Sequence, residues 1–229
     1  MKIKLISWST PSIEMVREGI DDVQDLIAYC ARVSNPANQY NKETSEKLIS
    51  YLIKNKHWSP LEMASACIQI ETTRDIARQI LRHRSFSFQE FSQRYADPVK
   101  DLNFVTRECR LQDSENRQNS IPIDSNDSEQ SALETEWENI QNSILDKVTE
   151  GYTWAIENGI AKEQARSILP EGLTMSRMYM NGTLRSWIHY IQLRGSNGTQ
   201  KEHMEIAKAC SKVISNIFPM SKTFINEGV

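Results

Sequence analysis

The first eight residues, Met-Lys-Ile-Lys-Leu-Ile-Ser-Trp, alternate between apolar and polar side chains and predict a strand. Val23, Leu26, Ile27 and Cys30 then recur at the spacing of one buried helix face. Leu48, Ile49, Leu52 and Ile53 mark a second helix that gives out near Asn55. In the short strand that follows, Ala66, Ile68 and Ile70 alternate with Cys67 and Gln69. Thr72-Thr73 offers a helix start, continued by the apolar stripe Ile76, Ala77 and Ile80. From Asp97 to about Ser128 the chain is polar and punctuated by Pro98, Asn116, Asn119, Pro122 and Asn126. That composition predicts a long loop, mobile at about 111–128.

Beyond it, Leu133, Trp137, Ile140, Ile144 and Val148 step by three or four along a long acidic helix, with Asn158-Gly159 as its C-terminal cap. Residues 161–169 predict a short helix ended by Pro170, and residues 173–180 a strand. Leu184, Trp187, Ile188 and Ile191 lie on one face of a helix that ends near Arg194. After the turn at residues 195–198, Thr199-Gln200-Lys201-Glu202 reads as a capping box. It opens a last helix through Ile206, Cys210, Val213 and Ile217, stopped by Pro219. No internal repeat is visible. The order of elements predicts one α+β domain over residues 1–229, with a mixed or antiparallel central sheet flanked by helices. A doubly wound parallel sheet needs more regular alternation.

Composition narrows the class. At 229 residues, 39% hydrophobic and 25% charged, the chain is neither disordered nor membrane-spanning, and no apolar run nears the ~18 residues of a transmembrane helix. The N-terminus lacks a signal peptide's apolar stretch. Cys30, Cys67, Cys109 and Cys210 are scattered without a CxxC pair, which suits reduced thiols in the cytoplasm better than disulfides or zinc. The formal net charge of −3 is unevenly distributed: residues 111–150 hold ten acids against two bases, a net −8, leaving +5 on the rest. The acidic stretch reads as a solvated helix and loop at the periphery.

Most of the candidate chemistry lies in residues 74–95. Arg74, Arg78 and Arg82 are spaced i, i+4, i+8 and share a helix face beside Gln79, an arrangement that repels unless an anion lies nearby. The segment has no lysine, and guanidinium groups suit planar contacts to phosphate or carboxylate. A solvated basic helix explains three arginines. It does not explain the serines, amides and carboxylate that follow, interleaved with Phe86, Phe88 and Phe91 as anchors of a polar loop. A nucleic-acid-binding module using residues 74–94 is the alternative from another class. His57 alone reads as a surface or capping histidine, Glu202 as part of its capping box, and Arg194 as a cation favoured at a helix C-terminus. Arg185 and His189 lie i, i+4 on the face opposite Trp187 and Ile191. HExxH, P-loop, GxGxxG and GxSxG motifs are all missing, so no metal site is expected and neither a nucleotide-binding Rossmann unit nor a serine nucleophile is supported.

Residues 82–95, RHRSFSFQEFSQRY, resemble the signature RHRxxSxNExSxRY of flavin-dependent thymidylate synthases, with Gln89 in place of Asn as the one departure. His57-Trp58-Ser59-Pro60-Leu61-Glu62 before it, and residues 165–170 and 185–194 after it, fall in the family's order. The resemblance covers roughly residues 20–220. It implies conversion of dUMP to dTMP, with methylenetetrahydrofolate as carbon donor and NADPH as hydride source by way of FAD. It also implies a homotetramer whose active sites lie at subunit interfaces. Carried over by position, Ser34, Ser59, Arg82, His83, Arg84, Glu90, Thr183, Arg185 and His189 are flavin contacts. Gln79, Arg82, Glu90, Phe91, Ser92, Gln93, Arg94, Arg166 and Arg194 are dUMP contacts, with Arg194 activating the uracil ring at N3. His57 helps position folate or flavin. Met63 stands where many relatives have His, and Thr183 where they often have Asn; these two and Gln89 bear on flavin packing. A cysteine nucleophile is not needed, and none of the four cysteines lies in these motifs. The resemblance leaves no role for nucleic acid or a membrane.

Overall fold

The computed structural model describes residues 1–222. In chain order these form β1 (Lys2–Trp8), α1 (Ile13–Arg17), α2 (Val23–Ala31), α3 (Ser45–Lys54), β2 (Ser65–Thr73), α4 (Arg74–Ile80), β3 (Ser87–Glu90) and α5 (Pro98–Asp101). They continue with β4 (Arg110–Gln112), β5 (Ser120–Pro122), α6 (Ser128–Glu157), α7 (Lys162–Ala165), β6 (Met175–Thr183), α8 (Leu184–Arg194) and α9 (Lys201–Ile217). The main sheet has the order β1-β2-β6-β3 and is antiparallel throughout.

Alternation along β2 and β6 decides which face is covered. Ala66, Ile68 and Ile70 are buried, and so are their cross-strand partners Gly182, Met180 and Met178. On that face they meet Ile76 and Ile80 from α4, Trp187, Ile188 and Ile191 from α8, and Ile206, Cys210 and Ile214 from α9. The side chains of Cys67, Gln69 and Glu71 face the other way and remain half-exposed. There Glu71 and its register partner Arg177 form an ion pair at 2.8 Å.

The chain has no sequence repeat, yet the sheet contains two matching units. Both β2 and β6 run nine residues, end on threonine and turn directly into a helix. Their antiparallel register pairs Ser65 with Thr183 and Thr73 with Met175, so α4 and α8 leave opposite ends of the sheet. Thr183 caps α8, its Oγ1 accepting from the Ser186 N–H at 3.3 Å.

Several sequence expectations are corrected. Residues 97–128 are not a plain loop: Asp97 caps the short α5, and β4 pairs with β5 in a hairpin. The polar stretch after α4 contains β3, whose backbone completes the main sheet beside β6. The capping box at residues 199–202 does not form; Gln200 is the N-cap residue and no side chain caps it. The Glu202 carboxylate is drawn instead to the guanidiniums of Arg107 and Arg110. The short helix α1 was not predicted, because five residues are too few for a period to register.

Helix α6 is held mainly at its C-terminal third. Tyr152 and Ala155 pack with Ala165 and Leu169 in a small second core. Gly159, at φ +76°, closes the helix in the left-handed conformation that glycine tolerates. Further up, Leu133, Trp137, Ile140 and Ile144 are exposed, as expected for a peripheral helix, although they form an apolar stripe.

Candidate active site

Residues from α4, the turn that follows it and α8 converge on one cavity of about 340 Å³, lined by Arg78, Gln79, Arg82 and Arg194. The helix starts lie at opposite ends of the sheet, and each helix runs back across it. The end of α8 thereby reaches the segment following α4, where Arg194 Nε donates to His83 Nε2 at 2.9 Å. This bond requires a bare Nε2, so the His83 proton sits on Nδ1. Burial and the adjacent Arg194 charge lower the His83 pKa to about 4, which keeps the ring neutral at physiological pH. With Nε engaged, the two Nη groups of Arg194 are its remaining donors.

The signature segment is anchored by its aromatics, as the sequence predicts for Phe86. That ring is buried, lies 4.9 Å from Trp187 between centroids, and covers Gly182 so closely that a Cβ there would come within 2.4 Å of it. Only glycine fits beneath it. Phe88 and Phe91 are half-buried, and the Phe91 N–H bonds to the Arg177 carbonyl at 2.8 Å.

The site residues inferred from the sequence fall into three groups. The first is the cavity itself, with Gln79, Arg82, His83 and Arg194. The second surrounds Glu90, which accepts from Ser176 Oγ at 2.7 Å and lies 3.6 Å from Arg74 Nη1. Arg166 is close enough for its charge to act on Arg74. Beyond Glu90, Gln93 is buried with Nε2 unbonded among the described residues, and Arg94 meets Glu163 at 3.5 Å on the surface. Ser92 is half-buried and accepts from the Arg94 N–H at 3.4 Å.

The third group lies at the other end of the signature. Arg185 forms an ion pair with Glu62, and His189 packs edge-on against Trp58 with centroids 4.5 Å apart. Burial and the Arg185 charge lower the His189 pKa. His57, Ser59, Arg84 and Ser34 are exposed, and the His57 ring lies 6.3 Å from Tyr51. Arg82 and Arg84 form no ion pair among the described residues, which leaves two guanidiniums free for an anionic ligand. Arg82, Arg84, Arg185 and His189 fit an anionic dinucleotide such as FAD in charge and exposure.

Of the expected arginine face, Arg78 and Arg82 still meet beside Gln79 at the cavity, and Arg74 does not. Arg74 is buried against Glu90 and Glu171, Arg78 pairs with Glu171 at 3.0 Å, and Arg82 lies beyond the end of α4. Two carboxylates therefore relieve the repulsion that the spacing implies.

Two residues were missed from the sequence, one behind the cavity residue Gln79 and one against the start of α4. His203 is fully buried, and its Nδ1 lies 3.2 Å from Gln79 Oε1 and its Nε2 3.2 Å from the Tyr190 hydroxyl. Burial, Arg194 and His83 lower its pKa to about 3. The available signal was a histidine in register with Ile206, Cys210 and Ile214 on the apolar stripe of α9. Arg107 was missed as well: it bonds Asp75 at 2.7 Å, the Gly172 carbonyl at 3.0 Å and Glu202 at 3.2 Å, tying α4 to α9. Nothing in its sequence neighbourhood marks it.

Comparison with known proteins bears on the same residues. The family described as thymidylate synthase complementing protein (Thy1) matches residues 16–220. A protein of Paramecium bursaria Chlorella virus 1 named "Probable flavin-dependent thymidylate synthase" is 47% identical over 219 residues, 96% of each chain. The flavin-dependent thymidylate synthase of Synechocystis sp. is 46% identical over 220 residues, again 96% of each. In fold, the chain is similar to the UMP/dUMP methylase PolB of Streptomyces cacaoi, crystallised with 5-Br UMP, with a TM-score of 0.77 at 20% identity over 99% of this chain and 93% of that one. The match to the family spans nearly the whole chain, and it includes the cavity, the Glu90 cluster and the exposed basic end of the signature; the chain belongs to the thymidylate synthase complementing protein family, the flavin-dependent thymidylate synthases.

Proposed function

We propose that this chain methylates dUMP to dTMP, with methylenetetrahydrofolate as carbon donor and NADPH as the source of reducing equivalents through bound FAD. The observation that carries the reading is the cavity in which Arg194 is fixed by a neutral His83 beside Arg78, Gln79 and Arg82. FAD, when bound, supplies the hydride. Arg84, Arg185, His189, Thr183, Ser59 and Ser34, with His83 and Glu90, would hold it. Folate and His57 belong at the exposed end of the same region.

The protein's own contribution is placement and charge. Arg194 directs its Nη donors at the uracil carbonyl and N3, where negative charge develops as the ring is activated. Neutral His83 keeps that guanidinium in one orientation without competing for the charge. Gln79 and Arg82 bind the nucleotide from α4 and its C-terminal end, while Phe91, Ser92, Gln93, Arg94 and Arg166 present their groups from the Glu90 side. Within one chain Arg94 faces Glu163 on the surface, and the apolar stripe of α6 is uncovered. Both features support a homotetramer with sites shared between subunits. Reduced, scattered cysteines support a cytoplasmic protein, and among the described residues no helix is long and apolar enough to cross a membrane.

The test is spectroscopic and chemical. Purified protein given FAD should show a bound-flavin spectrum that anaerobic NADPH bleaches, and should form dTMP from dUMP and methylenetetrahydrofolate. Arg194→Ala should lower dTMP formation by about a thousandfold with FAD still bound. Near-normal turnover in that variant removes Arg194 from the mechanism.

A further inference from the structure

His203 lies outside every motif that the family resemblance supplies, yet it stands behind Gln79. The hydrogen bonds around it run in one direction. Gln79 Nε2 donates to Gln200 Oε1 at 2.8 Å, so the carbonyl end of Gln79 is the group 3.2 Å from His203 Nδ1. Nδ1 therefore carries the proton, and the bare Nε2 accepts from the Tyr190 hydroxyl at 3.2 Å. Beyond Gln79, Gln200 Nε2 donates to Glu202 Oε2 at 2.9 Å, and Glu202 is held by Arg107 and Arg110. Five side chains thus hand on one donor direction, from a buried phenol to a carboxylate gripped by two guanidiniums.

A carboxamide turned end for end swaps donor for acceptor. In this site, such a turn would set the Gln79 NH₂ against the His203 Nδ1–H and its carbonyl against the Gln200 carbonyl oxygen. Two mismatches would result at half-buried groups, each leaving a donor or acceptor against its like where a hydrogen bond now stands. We propose that His203 is a positioning residue for the nucleotide site: its Nδ1–H fixes the Gln79 carboxamide, and Tyr190 fixes the His203 tautomer. Gln79 then presents one remaining N–H and one remaining carbonyl lone pair in a set orientation, as recognition of a pyrimidine edge requires. This rests on reading the 340 Å³ cavity as the dUMP site. The low pKa of His203, the result of burial and of its cationic neighbour Arg194, keeps the donor pattern constant across the neutral range.

The experiment compares dUMP and FAD affinities of the full-length protein and three variants, with dUMP titrated into FAD-loaded protein. His203→Leu keeps the bulk and removes both nitrogens; the amide N–H of His203→Asn can stand where Nδ1–H stands. Tyr190→Phe keeps the ring, which lies 4.9 Å from His83. We expect His203→Leu to weaken dUMP binding about tenfold, Tyr190→Phe about threefold, and His203→Asn to recover to within about threefold of wild type. FAD affinity should stay within about twofold in all three. A dUMP Kd unchanged in His203→Leu overturns the proposal, and so does His203→Asn binding as weakly as His203→Leu. If His203→Leu does not fold, an unchanged dUMP Kd in Tyr190→Phe overturns it. Equal losses of FAD and dUMP affinity would reduce His203 to a packing role. Failure of the wild-type protein to bind dUMP overturns the nucleotide-site reading and this proposal together, whereas normal wild-type binding with an indifferent His203→Leu overturns the proposal alone.

Discussion

Helix α8 buries six of its eleven residues, whereas α6 buries three of thirty, although both carry apolar side chains at helical spacing. In α8 the stripe lies on the sheet, and Trp187 is fully buried with its indole N–H donated to the Ala66 carbonyl at 3.0 Å. In α6, Trp137 remains 41% exposed, and its N–H reaches only the Arg107 carbonyl at 3.1 Å. Periodicity reports which face of a helix is apolar. It does not report what covers that face, because the covering element comes from elsewhere in the chain or from another chain.

The two tryptophans give the sharpest test of this difference. Trp187→Ala should cost about 3–5 kcal/mol in urea unfolding, since it opens a large cavity beneath Phe86 and Tyr190. Trp137→Ala should cost about 1 kcal/mol within the single chain, the worth of one hydrogen bond and partial burial. Equal costs would mean that α6 is as fully packed as α8. A second test asks what covers the stripe. Leu133→Asp with Ile140→Asp should leave the helical circular dichroism unchanged and reduce the assembly mass seen by sedimentation. An unchanged mass would mean that no contact between copies of the chain uses this stripe.

Acid titration probes the two histidines whose charge Arg194 opposes, His83 and His203. His83 and His203 titrate at about 4 and about 3, below the ordinary 6.5, so from pH 6.5 down to those values the unfolded chain binds protons that the folded chain excludes. Their neutral forms are compatible with full stability above pH 6.5, and stability falls as the pH drops through that window. The thermal midpoint should decline by several degrees between pH 7 and pH 4.5, less steeply in His83→Gln. Identical slopes in variant and wild type would remove His83 from the effect. At the small end, Lys147→Ala breaks an exposed i,i+3 pair with Glu150 on α6 and should leave the urea midpoint essentially unchanged. A lowered midpoint would show that the acidic face of α6 is not simply solvated.

Much of the site was legible because its chemistry is local. The signature carries Arg82, His83, Arg84 and Glu90 within nine residues, and the arginine spacing on α4 already called for a neighbouring anion. Which anion was not legible: Glu90 and Glu171 come from outside α4, and with them the supposed ligand face of Arg74 became a buried ion pair. The capping box failed for the same reason, since two arginines from the segment before and within β4 outcompete a local cap for Glu202.

The sequence by itself determined the elements that carry their own period, the family signature, and the separation of charge into an acidic arm and a basic remainder. Tertiary structure alone decided the fully antiparallel order β1-β2-β6-β3, the return of α8 to His83, and the alignment of Tyr190, His203, Gln79, Gln200 and Glu202. The physical reason is reach. Helical and strand periods are set by neighbours a few residues apart. An unshared proton or a buried carboxylate, by contrast, is satisfied by whichever group the folded sheet brings within about 3 Å, however distant in the chain.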